Sequence, residues 1–200
     1  MKKIAIYGGS FDPPHKGHRL LAENLAAKCG AEKVIIIPAS LSPFKESSSA
    51  GGEHRLQMCR LNFDDDLFEI SDIEIKRGGK SYTVDTLREI KKQYPHSDLY
   101  LFMGDDMLLS FDKWYCYKDI LSLARLVCAC RTDDEAVLSR MREFAKNVLE
   151  LDEAGIIFCE AKPIEISSTE IRTGDTQLKR EYLDSRVFEY IMSRGLYNEN

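Results

Sequence analysis

Eleven residues near the start of the chain, GGSFDPPHKGH (8–18), concentrate side chains that can do chemistry. His15 and His18 stand three apart, which puts both imidazoles on one face if the segment is helical. Gly8 and Gly9 follow an apolar run, and glycines there let a backbone turn sharply, approach a ligand and expose amides. Pro13 and Pro14 stiffen the bend, with Pro14 holding Pro13 extended. A helix opening at the histidines adds free N–H groups and the positive end of its dipole, both of which favour anions. The combination suits a phosphate. The plainer alternatives are a loop ahead of a capped helix, or a His-x-x-His metal pair with no third ligand in view.

A second constellation lies at ISSTEIR (166–172). Ser167 or Ser168 would cap a short helix, with Thr169 and Glu170 in its first turn. Arg172 would reach back over the same end, so that hydroxyls, amides and a guanidinium form an anion cradle. On its own the segment reads more simply as a capping box. Two cradles in one chain point to a substrate with several phosphates. Gly79, Lys80 and Ser81 imitate the tail of a Walker loop, but the glycine such a loop requires would fall at Glu74. That match is a decoy.

Elements that could position these residues follow from periodicity. KIAIYG, KVIIIP, FEISDIEI, DLYLFMG, RLVCACR and GIIFCE read as strands. Amphipathic stretches between them read as helices: HRLLAENLAAKC closed by Gly30, then about 53–63, 84–94, WYCYKDILSLA, 134–151 and RVFEYIMSRGLY. Strands alternating with helices imply an α/β fold, a Rossmann-like parallel sheet with helices on both faces, which binds ligands beyond the carboxyl ends of its strands. Both constellations fall at such ends, as do Gly104, Asp105 and Asp106 after DLYLFM. The chain reads as one domain, 1–200, with a small helical part from about 165.

The 200 residues carry 28 Lys and Arg against 33 Asp and Glu, a net charge of −5. That excludes a broadly basic surface for nucleic acid or anionic membrane, but not a local basic pocket. The opening MKK precedes too short an apolar run for a signal peptide, so the expected location is cytoplasmic. Six cysteines without a C-x-x-C pair read as buried free thiols.

With G-x-F-D-P-x-H-x-G-H and I-S-S-T-x-I-R both present, the sequence resembles the nucleotidyltransferase superfamily, and within it the bacterial nicotinate mononucleotide adenylyltransferases. The resemblance extends to SYTVDTL (81–87), to GDD (104–106) with Trp114 and Ile120 behind it, and to the ending VFEYIMSRGLY. It implies adenylyl transfer from ATP to nicotinate mononucleotide, giving deamido-NAD and pyrophosphate. Related readings keep the fold but take nicotinamide mononucleotide or phosphopantetheine as acceptor, or retain nucleotide binding without turnover. The resemblance makes His15, His18 and Arg172 catalytic. It gives ATP binding to Gly8, Gly9, Ser10, Phe11, Ile166, Ser167, Ser168 and Thr169, and the ribose to Gly104 and Asp105. Tyr82, Thr83 and Thr86 would receive the nicotinate carboxylate at a helix start, and Trp114 would stack on the pyridine ring. Mg2+ would be bound mainly through ATP phosphates, with no protein ligand assigned. Where the family often has Pro-Pro-His-Lys, this chain has Ser42, Pro43, Phe44 and Lys45, leaving Lys45 as the cation of that loop. The expected partners are the two nucleotides, without nucleic acid or membrane, and a homo-oligomer is left open.

Overall fold

The β-branched runs form the strands expected of them. A computed structural model describes residues 1–41, 48–130, 134–152, 154–160, 164 and 166–197. Strands β1 (Lys3–Gly9), β2 (Lys33–Pro38), β3 (Phe68–Ile70), β4 (Asp98–Gly104), β5 (Arg125–Cys130) and β6 (Ile156–Glu160) make one parallel sheet in the order β3-β2-β1-β4-β5-β6. Between and after them run helices α1 (Lys16–Cys29), α2 (Gly52–Asn62), α3 (Ile73–Arg77), α4 (Thr83–Gln93), α5 (Asp105–Leu108), α6 (Tyr117–Leu123), α7 (Glu135–Asn147), α8 (Ser168–Thr173), α9 (Thr176–Tyr182) and α10 (Ser185–Arg194). The order doubles back at β1, where sheets of this kind hold ligands.

The chain packs as two units. The first comprises Met1–Tyr7, Leu21–Ile35 and Tyr82–Pro163. In its ladder Ile4 lies opposite Leu99 and Ile6 opposite Leu101, while Leu126 lies opposite Ile156. Strands this apolar, buried along nearly their whole length, are the mark of a parallel sheet covered on both faces. Helix α4 buries the stripe Val84, Leu87 and Ile90.

The second unit comprises Gly8–Leu20, Ile36–Ser81 and Ile164–Asn200. Met58 of α2, Ile171 of α8, and Val187, Phe188 and Ile191 of α10 share one buried cluster with Ala50 and Leu183. Burying a large apolar side chain contributes about 1.5–3 kcal/mol, so this cluster is what fixes the C-terminal helices.

Three elements depart from the sequence expectation. The strand read into FEISDIEI stops at Ile70: Ser71 accepts from the Ile73 amide at 3.4 Å, and α3 begins with Asp72 at its cap, bridged to Lys76 at 3.0 Å. Helix α6 starts only at Tyr117, because Cys116 takes a left-handed φ of 53° and a 3₁₀ turn occupies Phe111–Lys113. Helix α7 ends at Asn147 rather than 151. Helix α9, which buries no residue, gave no periodic signal. Five cysteines are buried and Cys116 is exposed. Among the described residues no helix is long and apolar enough to cross a membrane.

Candidate active site

In the first constellation helix α1 begins at Lys16, so His15 caps it. Its carbonyl accepts from the His18 amide at 3.0 Å, and its own N–H donates to His18 Nδ1 at 3.2 Å. That return bond, from the third helical residue to the cap, is the one a glutamate makes in a capping box. With Nδ1 accepting, the proton of a neutral His18 sits on Nε2. The ring centroids of His15 and His18 are 3.7 Å apart. Burial alone drives the His15 pKa down to about 4, so this imidazole is neutral at pH 7. Its Nδ1 is buried and has no hydrogen-bond partner among the described residues. A Cβ on Gly17 would stand 3.0 Å from that nitrogen, so the glycine is what leaves the ring its room.

The glycines ahead of the bend behave otherwise than expected. Gly8 and Gly9 continue β1 instead of turning, and a Cβ on Gly8 would meet nothing within 4 Å. A Cβ on Gly9 would press the Phe11 ring at 3.0 Å, so Gly9 makes space for an aromatic. The turn itself falls on Phe11, whose φ of 46° is left-handed, and on the cis bond between Asp12 and Pro13. Phe11 is buried with its ring edge-on to His18, centroids 5.2 Å apart. Ser10 is half-buried beside it.

The second constellation is a capping box and also part of the same site. Ser167 caps α8: its Oγ accepts from the Glu170 amide at 3.1 Å, while Glu170 accepts from the Ser167 amide at 2.8 Å. The Ser167 hydroxyl, with its backbone N–H, holds the Glu170 carboxyl below the usual range. Ser168 Oγ donates to the Pro13 carbonyl at 2.9 Å. Arg172 donates through Nη1 to the Asp12 carbonyl at 2.6 Å and through Nη2 to Thr169 Oγ1 at 3.1 Å. The serine and arginine of one motif therefore grip consecutive carbonyls of the other. Ile166, half-buried, packs against the cluster beneath. Lys45 lies outside the described residues.

Three residues that the sequence did not single out complete this framework. Asp12 is buried, and its carboxylate accepts from the Ser49 amide at 2.7 Å, the Ala50 amide at 3.1 Å and the Tyr197 hydroxyl at 2.6 Å. Desolvation and the adjoining carboxylate push the Tyr197 phenol well above its ordinary range. Arg55 of α2 is 1% exposed, and its guanidinium donates to the carbonyls of Ala50 at 3.1 Å, Ser10 at 2.8 Å and Ser40 at 3.3 Å. Asp12 sat inside the recognised motif and was readable as more than a turn residue. Arg55 and Tyr197 carried no local signal.

The remaining expected site residues belong to the first unit. Tyr82 caps α4, and its carbonyl accepts from the amides of Asp85 and Thr86 at 3.1 and 3.3 Å. Thr83 opens that helix half-buried, whereas Thr86 is 2% exposed and turns its hydroxyl to the Tyr82 carbonyl at 3.4 Å. Gly104 ends β4 and caps α5, which Asp105 begins; Asp105 Oδ1 accepts from the Asp106 amide at 2.9 Å. Trp114 leans on Phe111 with centroids 5.0 Å apart, and Tyr115 lies on Tyr82 at 4.7 Å. The Walker-like triplet is no phosphate loop: Gly78 and Gly79 turn with φ near 70°, Lys80 bridges to Leu41, and Ser81 Oγ accepts from the Ser40 amide at 3.0 Å.

A parallel sheet of this order is the doubly wound, nucleotide-binding class, and here an imidazole pair and a capped arginine helix meet at one bend. The cytidylyltransferase-like family matches residues 6–174. A protein of Aquifex aeolicus is 39% identical over 168 residues, covering 82% of this chain and 98% of its own. A Listeria innocua protein is 34% identical over 199 residues, covering 98% of both. Each carries the name "Probable nicotinate-nucleotide adenylyltransferase". The chain belongs to the cytidylyltransferase-like family, and within it to the nicotinate-nucleotide adenylyltransferases. The Plasmodium falciparum nicotinic acid mononucleotide adenylyltransferase, solved in complex with NaAD, shares the fold at a TM-score of 0.76 and 19% identity, over 100% of this chain and 99% of that one.

Proposed function

We propose that this chain transfers the adenylyl group of ATP to nicotinate mononucleotide. A phosphate oxygen of the mononucleotide attacks the α-phosphorus of ATP in line. A new P–O–P bond forms, the bond to the β-phosphate oxygen breaks, and deamido-NAD and pyrophosphate result. The attacking oxygen is already anionic at neutral pH, so the protein's task is positioning and neutralising developing charge.

The observation that carries this reading is the convergence of Arg172 and Ser168 on the carbonyls of Asp12 and Pro13, immediately before His15. His18 donates from Nε2 to a phosphate oxygen, and neutral His15 offers a second imidazole donor. Among the described residues Arg172 donates to the Asp12 carbonyl and to Thr169 Oγ1, and its remaining N–H groups take the β,γ end of ATP. The amides of Gly9, Ser10 and Phe11 line the α-phosphate or ribose, and Gly8, open on its outer side, lets them approach. Ser167, Thr169 and Ile166 shape the same end. In the first unit, the start of α4 at Tyr82 and Thr83 takes the nicotinate carboxylate, Trp114 the ring, and Gly104 with Asp105 a ribose. Magnesium would come bound mainly to the ATP phosphates and would add to the neutralisation that His18 and Arg172 supply. The chain acts as one cytoplasmic nucleotidyltransferase domain.

The test is pyrophosphate release with ATP and Mg2+ on nicotinate mononucleotide, nicotinamide mononucleotide and phosphopantetheine, beside a His18→Ala control. Preference for the nicotinate form, lost in the control, is expected. Turnover only with phosphopantetheine would remove the acceptor assignment, and ATP binding without release would make the chain a nucleotide-binding regulator.

A further inference from the structure

Three carbonyls of the bend carry side-chain donors. Asp12 and Pro13 are held by Arg172 and Ser168, both within a recognised motif. The Ser10 carbonyl is held by Arg55, which belongs to none. Burying a guanidinium is costly unless it is paired, and a Leu or Met would fill the same volume without that cost. Arg55 nonetheless sits at 1% exposure, spread over three carbonyls from three separate stretches, at Ser10, Ser40 and Ala50. Its counter-charge is Asp12, itself locked by two amides and the Tyr197 hydroxyl. A carbonyl oxygen facing a phosphate repels it, and one drawn onto a buried cation cannot swing to do so.

We propose that Arg55 is a positioning residue for adenylyl transfer: from beneath the bend it holds the Ser10 carbonyl away from the phosphate cradle, completing the set begun by Arg172 and Ser168. The inference rests on the proposed phosphate site. Arg55 touches no substrate. It fixes the peptide that does, and a lysine cannot reproduce the fork across three acceptors.

Calorimetric titration of the wild type, Arg55→Lys and Arg55→Met with ATP and with adenosine tests this, with thermal unfolding as the fold control. ATP affinity should fall about ten- to a hundredfold in Arg55→Met and less in Arg55→Lys, with adenosine affinity unchanged. A purely structural residue would weaken both ligands together, and that result, or an undiminished ATP preference in both variants, overturns the role of Arg55 alone. A wild type that binds ATP no better than adenosine overturns the phosphate reading and this inference with it. Should neither variant fold, the Arg55 Nε–H resonance of the wild type decides. It should shift on adding tripolyphosphate and not on adding adenosine; a resonance indifferent to both overturns the proposal.

Discussion

In the cradle around His15, Ser168 and Arg172 reach back 155 and 160 residues to grip Pro13 and Asp12. Around Tyr82, the hydroxyl of Thr86 bonds a carbonyl only four residues away, and the aromatic contacts join Tyr82 to Tyr115 and Phe111 to Trp114. The first region is polar, buried at Asp12 and His15, and tied by long-range bonds to backbone. The second is local, partly exposed and aromatic. Groups that must stabilise charge as it develops need a fixed geometry, whereas a flat ring needs a surface. The difference predicts that substitutions in the cradle act on turnover and those in the aromatic region on acceptor affinity.

The sharpest way to break that division is His18→Ala, which should lower kcat for pyrophosphate release by about a hundred- to a thousandfold, the range for one lost transition-state donor, and leave acceptor KM nearly unmoved. A large rise in acceptor KM instead would place the imidazole in the wrong region. Arg172→Lys keeps the charge but loses the fork over Asp12 and Thr169, and should lower kcat/KM for ATP about tenfold or more.

A subtler mark of the cradle is its acid response. His15 is held near pKa 4 when folded and returns to 6.5 when unfolded. Below 6.5 the unfolded chain takes up a proton that the folded chain refuses, so stability falls as pH drops from about 6.5 to 4. The full loss is on the order of 3 kcal/mol, and denaturant titrations at pH 7 and 4.5 should show most of it in the wild type and little in His15→Gln.

On the aromatic side the effects should be smaller. Trp114→Ala should raise KM for nicotinate mononucleotide about three- to tenfold and leave ATP KM alone, as expected for one ring contact. Smallest of all, Thr86→Val removes the hydroxyl that donates to the Tyr82 carbonyl and should cost about 1 kcal/mol of stability without touching KM. A tenfold rise in acceptor KM there would return Thr86 to the substrate.

Why one region was legible in sequence and the other less so follows from the same contrast. The strands announced themselves through β-branched runs, and the cradle through glycines, histidines, serines and an arginine clustered at two helix starts, where capping alone would have explained either cluster but not both with the family motifs. The Gly8 and Gly9 turn misled because glycine has two uses: here Gly9 admits the Phe11 ring, and the bend is made by Phe11 itself. Arg55 was invisible because α2 places it beside His54 and near Arg60, with nothing local to mark which of them goes inside; burial is decided by the carbonyls of distant segments. Tyr197 was read only as part of a helical ending, since its partner lies 185 residues away. The run SSSAGG (47–52) has the composition of a loop free to move, yet the amides of Ser49 and Ala50 donate to the Asp12 carboxylate. Residues 42–47, including Phe44 and Lys45, lie outside the described part.

The bond from Tyr197 to Asp12 also sets an order of events during synthesis. At about 5–20 residues per second, the ribosome finishes the bend and its histidines many seconds before Arg172 or Tyr197 exists to lock them. A nascent chain can therefore carry a nearly complete sheet while its phosphate cradle is still unassembled. Competence to hold ATP would follow only once both of those residues have emerged.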